Sequence, residues 1–134
     1  MNEILVDTDV VSYLLNRHSL AEEYEKLLIG YVPMVSFITV AEMYRGAYKK
    51  NWGSRRMAEL GAHLRQFAVV PSSLQVFLSY AEISNAAEAR GRPIATADAF
   101  IAACAHSLRI PLVTNNRRHF EHIEGLTVLS ARGV

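Results

Sequence analysis

Short, uninterrupted apolar runs alternate along the chain with longer stretches of helical spacing. Ile4-Leu5-Val6 is too short and too uniformly apolar for an amphipathic helix and reads as a buried strand of the parallel kind, ending at Asp7. Thr8 or Asp9 is then the expected cap of a short helix through Leu15, and a second helix from about Leu20 to Ile29 stops at Gly30. Val32 to Ser36 predicts another strand. Helical spacing resumes over about 39–49 and again over about 54–67, with Asn51-Trp52-Gly53 breaking the two into a hairpin. A short strand at Val69-Val70-Pro71 precedes a long helix over about 73–90, which Gly91-Arg92-Pro93 ends. Thr96 is the expected cap of a helix reaching Leu108. Strands follow at 111–114 and 126–129, with a short helix at 117–121 between them. Strands alternating with helices predict an α/β fold, a central parallel sheet with helices on both faces.

The rare acids fall at the edges of these elements. The three aspartates, Asp7, Asp9 and Asp98, all lie in apolar company, and Glu42 sits in Val40-Ala41-Glu42-Met43. Two carboxylates about 4 Å apart repel by roughly 4 kcal/mol at an effective dielectric of about 20, so a buried acidic cluster must take up protons or a cation. In a parallel α/β fold, ligands gather beyond the carboxyl ends of the strands. Asp7 ends one strand, Asn115-Asn116 follow another, and Glu42 and Asp98 are expected in the first turns of their helices, so four segments can converge on one rim.

Each of these residues also has a purely structural use. Asp7 or Asp9 can cap the first helix, and Thr39-Val40-Ala41-Glu42 matches the capping box, in which Glu42 would reach back to the cap amide. Asp98 gains from the helix dipole, and Asn115 and Asn116 suit turns. Spacing alone leaves these alternatives open. If a metal binds, carboxylate and amide oxygens select Mg2+ or Mn2+, while the histidine pair His119 and His122 has no cysteine or HExxH companion for zinc.

At 134 residues and 51% hydrophobic content the chain is expected to form a single domain, 1–134, with a formal net charge of +1 that gives no global pull toward nucleic acid or membrane. No apolar run is long enough to span a bilayer, and no signal peptide is evident, which together with the lone Cys104 predicts a cytoplasmic protein without membrane partners. Locally the charge is less even. Arg45, Lys49, Lys50, Arg55 and Arg56 occur without an intervening acid and are interleaved with Tyr44, Tyr48 and Trp52, which suits either an RNA-binding patch or a solvated hairpin whose aromatics pack or dimerise.

Four blocks, Leu5 to Asp9, Val35 to Glu42 with Gly46, Gly91-Arg92-Pro93-Ile94 through Asp98 to Ala103, and Leu112 to Asn116 with Phe120, together resemble the PIN-domain family, and within it the VapC-like toxins of type II toxin–antitoxin pairs. The resemblance implies a three-layer α/β domain and a metal-dependent endoribonuclease using Mg2+ or Mn2+. Asp7, Glu42 and Asp98 match the family's acidic cluster and so stand as metal ligands. The family often has another acid in the stretch that here reads Asn116-Arg117-Arg118-His119, which implies a lower-charge site or an amide oxygen from Asn116. Asp9, where such proteins commonly have Asn, would restore part of that charge. Thr8, Asp9 and Thr114 are expected to support the ligands, and Arg45, Lys49 and Lys50 to hold the RNA backbone. A homodimer and a small VapB-like antitoxin are implied partners.

Two rivals remain at this level. A degenerate PIN domain would bind RNA or protein without cutting. Asp7-Thr8-Asp9-Val10-Val11 also fits the nucleophile motif of haloacid-dehalogenase-like phosphatases, although the chain has only Lys26, Lys49 and Lys50 to serve as that group's lysine and no acid beside Asp98.

Overall fold

A computed structural model describes residues 2–131; Met1 and 132–134 of the predicted domain lie outside the described residues. Five parallel strands, β1 (Glu3–Val6), β2 (Val32–Ser36), β3 (Ala68–Val70), β4 (Leu112–Val113) and β5 (Val128–Leu129), form one sheet in the order β3-β2-β1-β4-β5. Helices α1 (Thr8–Asn16) and α2 (Ala21–Leu28) connect β1 to β2, α3 (Phe37–Lys49) and α4 (Ser54–Leu64) connect β2 to β3, and α5 (Leu74–Ala89) and α6 (Thr96–Leu108) connect β3 to β4.

Alternation along β1 divides the interior in two. Leu5 faces one side, joining Leu112, Val70 and Val128 with Ile83 of α5, Ile101 of α6 and Phe120. Ile4 and Val6 face the other, joining Val35 and Val113 with Val10 and Val11 of α1, Tyr24 of α2, Ala47 of α3 and Leu60 of α4. Helices therefore cover both faces of the sheet, the three-layer arrangement expected from the sequence. Ile4, Leu5 and Val6 have no exposed surface, which is why this strand reads as an unbroken apolar run.

Several boundaries differ from the sequence expectation. Asp7 itself, neither Thr8 nor Asp9, is the N-cap of α1, and its side chain accepts from the Thr8 N–H. α3 starts at Phe37 with Ser36 as its cap, because β2 ends at Ser36 and the Ser36 hydroxyl accepts from the Ile38 N–H at 3.1 Å. Glu42 consequently lies in the second turn, and the capping-box role for it is removed. Thr96 is the first residue of α6 and caps nothing; the cap position is Ala95. α4 ends at Leu64, three residues before Phe67, β4 is limited to two residues, and the helix at 117–121 is a 3-10 turn over Arg117–His119. Gly30 and Gly91 do end α2 and α5, at φ +86° and +72°, the left-handed conformation that L side chains avoid.

Ser36 has a second bond, from the thiol of buried Cys104 at 3.2 Å. Ser36→Ala is expected to cost about 1–2 kcal/mol, from the missing cap and the stranded thiol. Urea unfolding measures it, and a change below a few tenths would remove Ser36 as the cap.

Among the described residues no helix is long and apolar enough to cross a membrane.

Candidate active site

The strand order reverses direction between β1 and β4: the chain builds outward from β1 through β2 to β3, then returns to the other side of β1 with β4 and β5. Such a switch point leaves a crevice at the strands' carboxyl ends. Asp7 follows β1 and Thr114 follows β4, and the Thr114 hydroxyl donates to Asp7 Oδ2 at 2.7 Å. Backbone bonding ties the same two ends together, with the Asp7 N–H donating to Val113 O at 3.0 Å. Asp7 is 5% exposed and Thr114 fully buried.

Burial, reinforced by the neighbouring Asp9 charge, pushes the Asp7 carboxyl from 3.8 up to about 7 against the opposing pull of its bonds from Thr114 and Thr8. Burial also raises Asp9, against bonds from the backbone of Asn115 and Val10. The charge of Asp98 adds to both shifts, so the three aspartates stand within electrostatic reach of one another. Asp98, in the first turn of α6, has its Oδ2 3.2 Å from His119 Nδ1.

Glu42 reaches the same rim through α1. Its Oε1 accepts from the Thr8 hydroxyl at 2.8 Å, and that hydroxyl lies 2.9 Å from buried Thr39 Oγ1. Since Thr8 has one proton and gives it to Glu42, Thr39 donates to Thr8. Thr39, expected as a helix cap, is in fact the inner end of this relay. Asn116 is exposed; its amide N–H is directed at Asp9 Oδ2 at 3.3 Å and its backbone N–H bonds Thr114 Oγ1 at 2.9 Å. Thr8 thus touches both Asp7 and Glu42, Thr114 touches Asp7, and Asp9 bonds Asp7 and the Asn115–Asn116 pair.

Sequence reasoning misses the layer behind Asp9. Tyr24, fully buried, donates its hydroxyl to Asn115 Oδ1 at 2.7 Å, and Asn115 Nδ2 bonds the Tyr13 hydroxyl at 3.2 Å. Asn115, fixed by two tyrosines, presents its backbone N–H to Asp9 Oδ2 at 3.1 Å. Tyr24 lies in the charged helical stretch Glu22-Glu23-Tyr24-Glu25-Lys26, and nothing local marks a partner 91 residues away. His119 beside Asp98 is likewise missed, although the Asn116–His119 stretch stands out for its lack of an acid.

The basic hairpin keeps only part of its expected character. The Arg56 guanidinium stacks 3.8 Å from the Trp52 ring centroid, and Tyr44 and Trp52 pack against the core, leaving Tyr48, 70% exposed, as the free aromatic. Arg45 and Lys49 on α3, and Lys50 just after its end, are exposed beyond Glu42.

The rim's donors are carboxylate and amide oxygens, and burial leaves Asp7 short of compensating positive charge; both suit a hard divalent cation. Among the described residues, no three Asp, Glu, His or Cys side chains converge closely enough to form a ready-made ligand set; Asp9 shares a side-chain hydrogen bond with Asp7, whereas Asp98 acts on both through its charge.

Comparison with known proteins adds a consistent picture. The PIN domain family model matches residues 4–126. Ribonuclease VapC2 of Haemophilus influenzae is 32% identical over 127 residues, 94% of this chain and 96% of that protein. The tRNA(fMet)-specific endonuclease VapC of Shigella flexneri is 27% identical over the same shares. Among solved structures, DNA-bound VapBC from Salmonella typhimurium superposes with a TM-score of 0.86 at 26% identity, covering 98% of this chain and 99% of that one.

Proposed function

Because the chain belongs to the PIN-domain family, we propose that it is a Mg2+- or Mn2+-dependent endoribonuclease and the toxin of a type II toxin–antitoxin pair. The observation that carries this reading is Asp7: a buried carboxylate at the switch point, raised to about 7 and flanked by Asp9, Asp98 and a tethered Glu42. When bound, a divalent cation supplies charge neutralisation at the scissile phosphate and acidifies water. Asp7 and Asp98 would hold it, with Glu42 as a third ligand. The Thr114 hydroxyl and the Thr8 N–H, the first of α1, fix the Asp7 carboxylate, so its two oxygens keep one orientation.

The Thr8 hydroxyl fixes Glu42 Oε1, so Glu42 would hold the cation directly or through a water and orient the attacking water. Asp9, held by Asn115 and Asn116, contributes negative charge where the family's additional acid is missing. Arg45, Lys49 and Lys50 would follow the RNA backbone along α3. A VapB-like antitoxin is the proposed protein partner, supported by solved relatives that are VapBC complexes, and a second copy of the chain is proposed beside it. PIN membership displaces the phosphatase reading of Asp7-Thr8-Asp9.

A binding domain without catalysis is the second reading, favoured by the lack of a preassembled ligand set among the described residues. One assay separates them. Initiator tRNA, suggested by the substrate named for the Shigella relative, is incubated with the protein in Mg2+, Mn2+ or EDTA. Internal cleavage is expected in either metal and none in EDTA, with Asp98→Asn slower by at least about 100-fold, the upper end of what loss of a group behind a metal ligand costs. Cleavage that persists in EDTA or in Asp98→Asn would sink the assignment. RNA binding without cleavage of transfer, ribosomal or messenger RNA would put the binding domain in its place.

A further inference from the structure

A cavity of about 270 Å³ opens beside Asp98, walled by Arg90 from the end of α5, Arg92 from the α5–α6 loop, and Arg118, His119 and His122 from the segment after β4. Asp98 is a wall shared between this cavity and the acidic rim. Among the described residues, none of the three guanidiniums forms an ion pair with a carboxylate. Arg92 Nη1 instead lies 3.5 Å from His122 Nδ1, a cation turned toward an imidazole. The neighbouring Arg117 shows what a structural arginine does in this segment, donating to Val128 O at 3.1 Å, whereas Arg118 makes no such bond among the described residues and lines the cavity.

Three guanidiniums lining a concave site whose one carboxylate, Asp98, lies against His119 suit an anion with several oxygens, and planar, multidentate recognition of phosphate is what arginine does well. Along an RNA strand, the phosphate adjacent to one held at the acidic rim must fall within a nucleotide's reach, and this cavity adjoins that rim through Asp98. We propose that the Arg90–Arg92–Arg118 cavity holds a phosphate flanking the scissile one, so that the strand crosses the rim from α3 toward the α5–α6 loop. The proposal rests on the ribonuclease reading and adds to it a positioning site. It also gives a use to the stretch where an acid is missing: Arg118 contributes a cation on the far side of Asp98.

The test is binding without catalysis. A short fluorescent single-stranded RNA is titrated against the full chain carrying Asp7→Asn, in EDTA, across a salt series, and against the same chain with Arg90→Ala and Arg118→Ala added. The substituted arginines are exposed, and circular dichroism checks that the fold is kept. Affinity is expected to fall by about tenfold or more, with the slope of log K against log salt shallower by about 0.7 for a single phosphate that is no longer neutralised. Arg118→Lys, which keeps the charge, is expected to recover part of the affinity. Unchanged affinity and slope would overturn the phosphate site while leaving the ribonuclease reading intact. If the Asp7→Asn parent binds no RNA and the wild type cuts none, both fall together. If RNA binding is untouched but a co-expressed antitoxin no longer co-purifies with the arginine variant, the cavity belongs to a protein partner and the phosphate assignment is wrong.

Discussion

Asp7→Asn is expected to abolish RNA cleavage and, at the same time, to make the metal-free protein harder to unfold at pH 7.5. The folded state raises this carboxyl to about 7, from 3.8 for an ordinary aspartate. Between those two values the folded protein keeps a proton that the unfolded chain has released. Stability is therefore greatest below about pH 4 as far as this group is concerned, and is lost as pH rises through 7, a total of a few kcal/mol. Asn carries no charge to desolvate, caps a helix as well as Asp does, and can still accept one of the two bonds from Thr8 and Thr114. Urea unfolding at pH 5 and 7.5 should thus show a wild-type midpoint that falls with pH and an Asn midpoint that falls less. Added Mg2+ or Mn2+ should raise the wild type at pH 7.5 and leave the variant unmoved. A wild-type midpoint indifferent to both pH and metal would mean that Asp7 is not the strained acid described above.

Phe120→Ala is expected to be the most damaging single truncation near the rim, at about 3–5 kcal/mol. Phe120 is fully buried against the α5–α6 side of the sheet and closes the 3-10 turn, its N–H bonding Arg117 O at 3.0 Å. It immediately follows His119, so the cavity left behind also frees the turn that sets His119 against Asp98. Phe120→Leu, which restores most of the volume, should cost less than half as much in the same urea experiment. A loss below about 1 kcal/mol for the alanine variant would show that the turn is held by something other than this ring.

The strands are legible in the sequence because a parallel strand covered on both faces leaves no polar position to interrupt it, as in Ile4-Leu5-Val6. Asp7 is legible for the same reason, since a charge that ends such a run has to be accounted for. Helix starts are less so. Ser36 and Thr39 are chemically equivalent caps, and the choice between them depends on where β2 ends and on Thr8 needing Thr39, 31 residues away. The supports of the rim are equally non-local: Tyr24 to Asn115, Thr114 to Asp7 and His119 to Asp98 join segments that share no spacing pattern. His119 and Arg118 look like a deficit in the acidic pattern, and only their placement around Asp98 gives them a chemical context.

The pairing of β1 with β4 joins Leu5 to Leu112. On a ribosome adding about 5–20 residues each second, the first strand made must wait for one of the last before the switch-point crevice exists. Until Thr114 has been synthesised, Asp7 lacks its hydroxyl donor and the β4 side of the sheet is missing. Parallel pairings across such separations also form slowly once the chain is free. The interval between making the acidic residues and assembling them is therefore set by chain topology, and a growing polypeptide carries Asp7, Glu42 and Asp98 through translation before they share a surface.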